Sequence, residues 1–192
     1  MKVGLLFVLS ALPIVLSLPA LASETVSSTA TTTTTTSTVT TSTTTPQEET
    51  PVIPVAGGSC ITSHYGQRRL PRRGWHFHTG VDFRARPGTE LIAMDEGTVV
   101  DFGRYRACGL FVEIQLKDGN YAHYCHLSKF KKFVKGEKVA KGQVLGLSGT
   151  TGSAKHQPHL HLVIKPTPGF APGNTMEPLK YFPTAETCEG KS

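Results

Sequence analysis

Residues 110–127, "LFVEIQLKDGNYAHYCHL", have the pattern of a β-hairpin. Two runs rich in β-branched and aromatic residues flank "KDGN", whose Asp118-Gly119 pair is typical of a tight hairpin turn. Runs of the same character lie at residues 98–103, 144–149 and 159–165. No segment combines the periodicity and the caps of an amphipathic helix. The sequence therefore predicts a mainly β, antiparallel domain, either a β-sandwich or a partly open barrel.

The first 22 residues have the pattern of a secretory signal peptide. One positive charge at Lys2 precedes an apolar run, and the segment ends in the small-residue site Ala20-Leu21-Ala22. From Thr25 to Thr45, 18 of 21 residues are Ser or Thr, a composition too polar to offset the entropy cost of ordering. The predicted organisation is a signal peptide (1–22), a disordered linker (23–51), a folded domain (52–183) and a C-terminal tail (184–192).

These segments predict an exported protein. We expect the mature chain in the periplasm or in the cell-wall or extracellular space, as a monomer without a membrane span once the signal is removed. Four cysteines, an even number, indicate two disulfides in such a compartment, and no Cys-x-x-Cys pair supports a cysteine zinc site. Of the three possible pairings we favour Cys60 with Cys188, which would join the ends of the domain, and Cys108 with Cys125.

The net charge is +6, and the positive charges are bunched. Arginines cluster in residues 68–86 and lysines in residues 129–141. An exported basic protein meets anionic envelope polymers more readily than nucleic acid, and no nucleic-acid-binding motif is present. Residues 68–76, "RRLPRRGWH", are interpreted as a basic loop that either binds an acidic polymer or only favours solubility.

The spacing of several histidines indicates a metal site. In "HFHTGVDF", His78 and Asp82 are four residues apart around a glycine, so a turn there brings an imidazole and a carboxylate together. In "HLHLVIK", His159 and His161 alternate onto one face of a strand. Two imidazole nitrogens and one carboxylate oxygen suit a catalytic zinc ion with an open position, whereas Mg²⁺ or Ca²⁺ would need more oxygens. Spacing alone does not say which histidine of the pair is a ligand.

A family resemblance runs through six stretches in order: "ITSHYGQR", "HFHTGVDF", "PGTELIAMDEGTVV", "YCHLS", "VKGEKVAKGQVLGLSGTTG" and "PHLHLVI". Their order and approximate spacing resemble the lysostaphin-type, LytM-like zinc endopeptidases over about residues 60–166. These enzymes cut the peptide part of bacterial peptidoglycan. The resemblance implies an exported zinc metalloendopeptidase that hydrolyses peptide cross-links or stem peptides, although not which bond it cuts.

The resemblance also implies roles for individual residues. It makes His78, Asp82 and His161 the ligands of one Zn²⁺ per domain, and it makes His126 and His159 catalytic. No glutamate stands beside the ligands as in His-Glu-x-x-His enzymes, so these two histidines are expected to manage protons and the oxyanion. Their individual roles stay open.

An alternative function is that of a non-catalytic relative of the same fold, which binds peptidoglycan or activates another hydrolase. Such relatives typically lose ligands, whereas all five predicted site residues are present here. The other four histidines are not expected to be ligands. His64, His123 and His156 are expected to be exposed or locally hydrogen-bonded, and His76 is interpreted as a surface residue or as one that lies just behind the ligands.

Overall fold

Eleven strands make up most of the regular structure in the computed structural model, which describes residues 50–71, 74–170 and 173–189. The strands are β1 (Ile61–Ser63), β2 (Gly66–Leu70), β3 (Gly74–His78), β4 (Val81–Arg84), β5 (Glu90–Ile92), β6 (Gly97–Tyr105), β7 (Gly109–Leu116), β8 (Tyr121–Phe130), β9 (Lys138–Val139), β10 (Val144–Ser148) and β11 (His159–Lys165). Short 3₁₀ turns lie at Arg106–Cys108, Gly152–Ala154 and Pro178–Tyr181. These ranges contain no α-helix. The predicted mainly β class is confirmed.

Two predicted segments fall largely outside the described residues. These are the signal peptide, residues 1–22, and the linker, residues 23–51, of which only the last two residues are described. All of the described residues belong to the unit Thr44–Ser192. Within the part of the chain that is described, no helical segment has the length and apolar character needed to cross a bilayer.

Nine strands form one antiparallel sheet, in the order β1-β4-β11-β8-β7-β6-β9, with β10 paired to β8 and β5. The hairpin predicted around "KDGN" joins β7 and β8, where Gln115 lies opposite Tyr121 and Glu113 opposite His123. Because β11 lies between β4 and β8, the residues of the "HLHLVIK" run are placed at the centre of the sheet. Side chains from three separate parts of the sequence can therefore meet on one face.

The main hydrophobic core covers the other face of the sheet. On β11 the alternate residues Leu160, Leu162 and Ile164 are fully buried in this core. Each such side chain contributes about 1.5–3 kcal/mol relative to exposure. Their burial directs His159 and His161 to the opposite face, as strand alternation predicts.

The segment interpreted as a basic loop is largely a two-stranded ribbon, so that interpretation is wrong for most of its length. β2 and β3 pair in continuous register from Gly66 opposite His78 to Leu70 opposite Gly74. One face of the ribbon is exposed, with Trp75 74% exposed, and the other is only partly buried. The ribbon lacks the apolar alternation that marks a half-buried strand. Residues 72–73, at its tip, lie outside the described residues.

Both disulfides join the cysteines that we favoured as partners. Cys60 is bonded to Cys188 and Cys108 to Cys125. The first closes a loop across the domain, and the amide of Cys188 donates a hydrogen bond to the carbonyl of Ile61 at 2.8 Å. The disulfide and this hydrogen bond thus hold the described part of the predicted C-terminal tail, residues 184–189, against β1.

Candidate metal centre and active site

Three donor atoms converge at the ends of β3, β4 and β11. Asp82 Oδ1 lies 2.8 Å from His161 Nδ1 and 3.1 Å from His78 Nε2, and the two nitrogens are 3.0 Å apart. All three side chains are buried or nearly so. The structure thus brings together the three residues that the family resemblance implies as zinc ligands.

A glycine makes this convergence possible. Gly80 lies in the turn between β3 and β4, where a Cβ atom would lie 2.3 Å from the carbonyl oxygen of Leu162 and 2.9 Å from Cε1 of His161. Any side chain there would push β4 away from β11. The glycine inside the His-x-x-x-Asp stretch is therefore required by close packing.

A hydrogen bond fixes which nitrogen of His78 faces the cluster. Nδ1 lies 2.7 Å from the carbonyl oxygen of His64. Because a carbonyl can only accept, Nδ1 carries the proton and donates it, which leaves a lone pair on Nε2. This is the outer hydrogen bond that metal-bound histidines usually make.

The donor set fits a divalent zinc ion. Burial would by itself raise the pKa of Asp82, but the adjacent imidazoles of His161 and His78 hold the pKa of this carboxyl well below its usual range. Desolvation, together with the neighbouring histidines His78 and His159, lowers the pKa of His161 against the opposing effect of Asp82. Electron-pair donors held about 3 Å apart are stable only with a proton or a cation between them, and two imidazoles with one carboxylate match Zn²⁺ better than a harder ion.

Two further histidines lie beside the cluster with their outer nitrogens fixed. Nδ1 of His126 donates to the carbonyl of Thr151 at 2.8 Å, and Nδ1 of His159 donates to the carbonyl of Gln157 at 2.7 Å. Each ring is thereby left with a basic Nε2. The Nε2 atoms are the ones available for proton transfer.

These two rings adjoin each other and the donor cluster. The His126 and His159 rings are 4.8 Å apart in an edge-to-face arrangement, and the His126 ring is 5.8 Å from that of His161. His159 Nε2 lies 3.7 Å from Asp82 Oδ1. All five predicted site residues therefore meet in one place.

A bulge in β8 turns His126 toward the cluster. The register between β7 and β8 shifts by one residue here, and His126 has a left-handed φ of 67°. Tyr124 and Leu127 are both fully buried in the main core, so the two residues between them lie on the other side. Without the bulge, alternation would point His126 into the core. A left-handed conformation costs backbone energy in a non-glycine residue, and residues held in such conformations are often found at functional sites.

His126 remains unprotonated at neutral pH. Burial lowers the pKa of His126 to about 4, helped by His159 and His161 and opposed by the Thr151 carbonyl and by Asp82. We expect this imidazole to titrate near pH 4 in an NMR titration of the metal-free protein.

The same shift gives the unfolding free energy a pH dependence. Below about pH 6.5 the unfolded chain takes up a proton that the folded imidazole does not accept until about pH 4. The unfolding free energy of the metal-free protein should therefore decrease as the pH falls through this window. His126→Gln should remove this part of the slope, and a His126 resonance that titrates near pH 6.5 would contradict the assignment.

The Cys108–Cys125 disulfide tethers the residue before His126. Replacing both cysteines with alanine should lower the unfolding free energy by about 3 kcal/mol and should also slow the reaction, because the bulge loses its covalent support. Urea unfolding and a hydrolysis assay measure the two effects. The matched control is the double alanine variant of Cys60 and Cys188, which should lose stability but keep the rate of the folded enzyme. Unchanged stability and rate in the Cys108/Cys125 variant would refute this role.

A buried charged cluster lies further along the same face of the sheet. Lys165 Nζ is 3.0 Å from Glu113 Oε1 and 3.4 Å from His123 Nδ1, and all three residues are at most 4% exposed. The amide of Gly169 donates to both oxygens of Glu113, and Phe170 packs edge-to-face on the His123 ring at 4.4 Å. His123 is buried rather than exposed, because the Lys165–Phe170 loop covers it, and its Nδ1 contacts Lys165.

The other three histidines agree with expectation. His64, His76 and His156 are exposed, and Nε2 of His64 contacts the hydroxyl of Thr187 at 2.8 Å. One charged residue beside the donor cluster was missed, namely Arg68, which lies 3.8 Å from Asp82 Oδ2. Its only sequence signal was membership of an arginine-rich run.

A buried His-Asp-His donor set with two adjacent basic imidazoles has the chemical equipment of a metal-dependent hydrolase. The profile of Peptidase family M23 matches residues 76–174, which is more than half of the chain. The chain belongs to this family.

Individual relatives agree with this assignment. Glycyl-glycine endopeptidase ALE-1 of Staphylococcus capitis is 36% identical over 124 residues, 63% of this chain and 33% of that protein. Peptidoglycan DD-endopeptidase ShyA of Vibrio cholerae serotype O1 is 36% identical over 119 residues, 60% of this chain and 27% of that protein. The chain thus spans a third or less of the length of these relatives.

A solved structure shows the same fold. The catalytic domain of the antimicrobial peptidase lysostaphin from Staphylococcus simulans superposes with a TM-score of 0.57 at 31% sequence identity. The match covers 64% of this chain and 91% of that domain.

Proposed function

We propose that this protein is an exported zinc metalloendopeptidase that hydrolyses peptide bonds in the cross-links or stem peptides of bacterial peptidoglycan. The observation that carries the proposal is the convergence of His78, Asp82 and His161 on one sheet face, with the Nε2 atoms of His126 and His159 beside them. The names of the relatives ALE-1 and ShyA, which are both endopeptidases, support the reaction class and the polymer.

One zinc ion would be held by His78 Nε2, Asp82 Oδ1 and His161 Nδ1. When bound in such a site, Zn²⁺ lowers the pKa of a coordinated water and polarises a carbonyl group. A set of one carboxylate and two neutral imidazoles leaves the centre with a net positive charge. The site therefore favours a substrate carbonyl on which negative charge develops.

The two remaining imidazoles handle protons and charge. His126 and His159 each hold a proton on Nδ1 through a backbone carbonyl and present Nε2 as the base. One of them accepts a proton from the attacking water and delivers it to the leaving amine. The other, when it also carries a proton on Nε2 as an imidazolium, donates from Nε2 to the negatively charged carbonyl oxygen. General acid–base catalysis of this kind contributes about 10²- to 10⁴-fold.

Export follows from the substrate and from the covalent structure. Peptidoglycan lies outside the cytoplasmic membrane, and two disulfides are typical of proteins that fold in an oxidising compartment. The predicted signal peptide, residues 1–22, would direct the chain across the cytoplasmic membrane, to the periplasm or to the cell-wall space.

The direct test is a digestion of purified peptidoglycan sacculi. Zinc-loaded mature protein should release fragments that carry new amino termini by mass spectrometry. A chelator should stop the release, and added zinc should restore it. Fragments with new sugar ends, or release that is indifferent to chelation, would contradict the proposed bond class or metal dependence.

A further inference from the structure

Arg68 lies at the edge of the donor cluster on the ribbon formed by β2 and β3. In the ribbon register Arg68 is opposite His76, and Gly66 is opposite His78. Residues two apart on a strand share a face, so the Arg68 side chain lies on the same face of the ribbon as His78. The next residue, Arg69, pairs with Trp75 and lies on the other, exposed face.

The guanidinium of Arg68 contacts the outer oxygen of the Asp82 carboxylate. Nη1 lies 3.8 Å from Oδ2 and donates a hydrogen bond to the hydroxyl of Ser63. The other oxygen, Oδ1, is the one that faces His78 and His161. Arg68 thus lies beside the donor cluster, on the opposite side of the Asp82 carboxylate, and is not one of the donors.

The guanidinium still has donors to offer. Its side chain is 33% exposed, so a ligand beside the donor cluster can reach it. Nε is buried and has no hydrogen-bond partner among the described residues. A contact of 3.8 Å to Asp82 is an ion pair without hydrogen-bond length. A partly exposed guanidinium whose contact with Asp82 lacks hydrogen-bond length is suited to bind a further carboxylate.

We propose that Arg68 forms a subsite for a substrate carboxylate placed on the carbon that carries the scissile nitrogen. The inference rests on the proposed peptidase function and names its substrate class. In a cross-link through diaminopimelic acid the acylated amino group is attached to such a carbon, and a peptide ending in D-alanyl-D-alanine has the same arrangement. The inner residues of a glycine bridge carry no such charge. The Arg68 guanidinium therefore favours carboxylate-bearing substrates over glycine bridges.

The test compares substrates that differ only in this carboxylate. Zinc-loaded protein is given a diaminopimelate cross-linked dimer and a D-alanyl-D-alanine pentapeptide, each with the carboxylate free or converted to an amide. The free form of at least one should be cut on the order of 10- to 100-fold more efficiently in kcat/KM. Which of the two shows the preference identifies the source of the carboxylate.

Variants assign the preference to Arg68. Arg68→Gln should reduce the ratio of free to amidated substrate to about 1, Arg68→Lys should give an intermediate ratio, and Arg69→Gln should match the wild type. Affinities of the same substrates for zinc-loaded His126→Ala, with and without Arg68→Gln, provide a readout that does not need turnover.

The outcomes separate the two proposals. Equal cleavage of the free and amidated forms by the wild type, with equal affinity of both forms for zinc-loaded His126→Ala, would overturn the subsite while leaving the peptidase intact. A preference that survives in Arg68→Gln would also overturn it. Arg68-dependent binding of the carboxylate form without any cleavage would support the subsite and contradict the proposed peptidase.

Discussion

Replacing His126 with alanine is expected to lower kcat by about 10²- to 10⁴-fold while the protein keeps its zinc. His126 supplies a buried imidazole whose Nδ1 proton is fixed on the Thr151 carbonyl, so Nε2 remains a base at neutral pH. The proposed zinc donors belong to other residues. Loss of the imidazole should therefore remove proton transfer without removing the metal.

The matched control is His156→Ala, which replaces an exposed histidine in a loop. Steady-state rates on a defined peptide, together with zinc content by elemental analysis, separate the two effects. His156→Ala should behave as the wild type in both measurements. A His126→Ala enzyme that keeps its rate within about tenfold, or that loses its zinc, would end the catalytic assignment.

Lys165→Met is expected to lower the unfolding free energy by about 3–5 kcal/mol at neutral pH. Glu113 and Lys165 are both buried and form an ion pair at 3.0 Å. Methionine fills a similar volume but leaves the Glu113 charge without its nearest cation. Burial would raise the pKa of Glu113, while His123 and Lys165 together hold it below its usual value.

The pH dependence of the unfolding free energy of Lys165→Met tests whether the unpaired Glu113 charge causes the loss of stability. In the wild type the lowered pKa of Glu113 gives stability that is present above the unfolded value, about 4.5, and is lost as the pH falls through the folded value. Without Lys165, the effect of burial on Glu113 is opposed mainly by His123, so the pKa of Glu113 should lie above its wild-type value and the deficit should shrink as the pH falls toward it. The double variant Glu113→Gln/Lys165→Met, which leaves no unpaired charge, should be much less destabilised at pH 7. A single variant that loses less than about 1 kcal/mol would contradict this role of the ion pair.

Local patterns in the sequence predict much of the sheet. The Asp118-Gly119 turn and the flanking β-rich runs predict the hairpin of β7 and β8. Alternation places His159 and His161 on one face because the leucines between and beside them enter the core. These features depend only on neighbours within a few residues, which is the range over which sequence patterns carry information.

The features that depend on long-range packing were not predictable in this way. Alternation from Tyr124 would send His126 into the core, and only the bulge, which has no glycine to mark it, reverses this. Glu113 and Lys165 resemble surface residues in sequence, since charged side chains are almost never buried unless they are paired. Their pairing across strands 52 residues apart is not visible in either segment, and neither is the contact between Arg68 and Asp82.

A zinc-edge anomalous difference map from crystals of the mature protein would show whether these three residues hold the metal ion. We expect one strong peak, at about 2.0–2.2 Å from His78 Nε2, Asp82 Oδ1 and His161 Nδ1, and its loss in Asp82→Ala. No peak at these atoms in zinc-soaked crystals, or a peak held by other residues, would contradict this expectation.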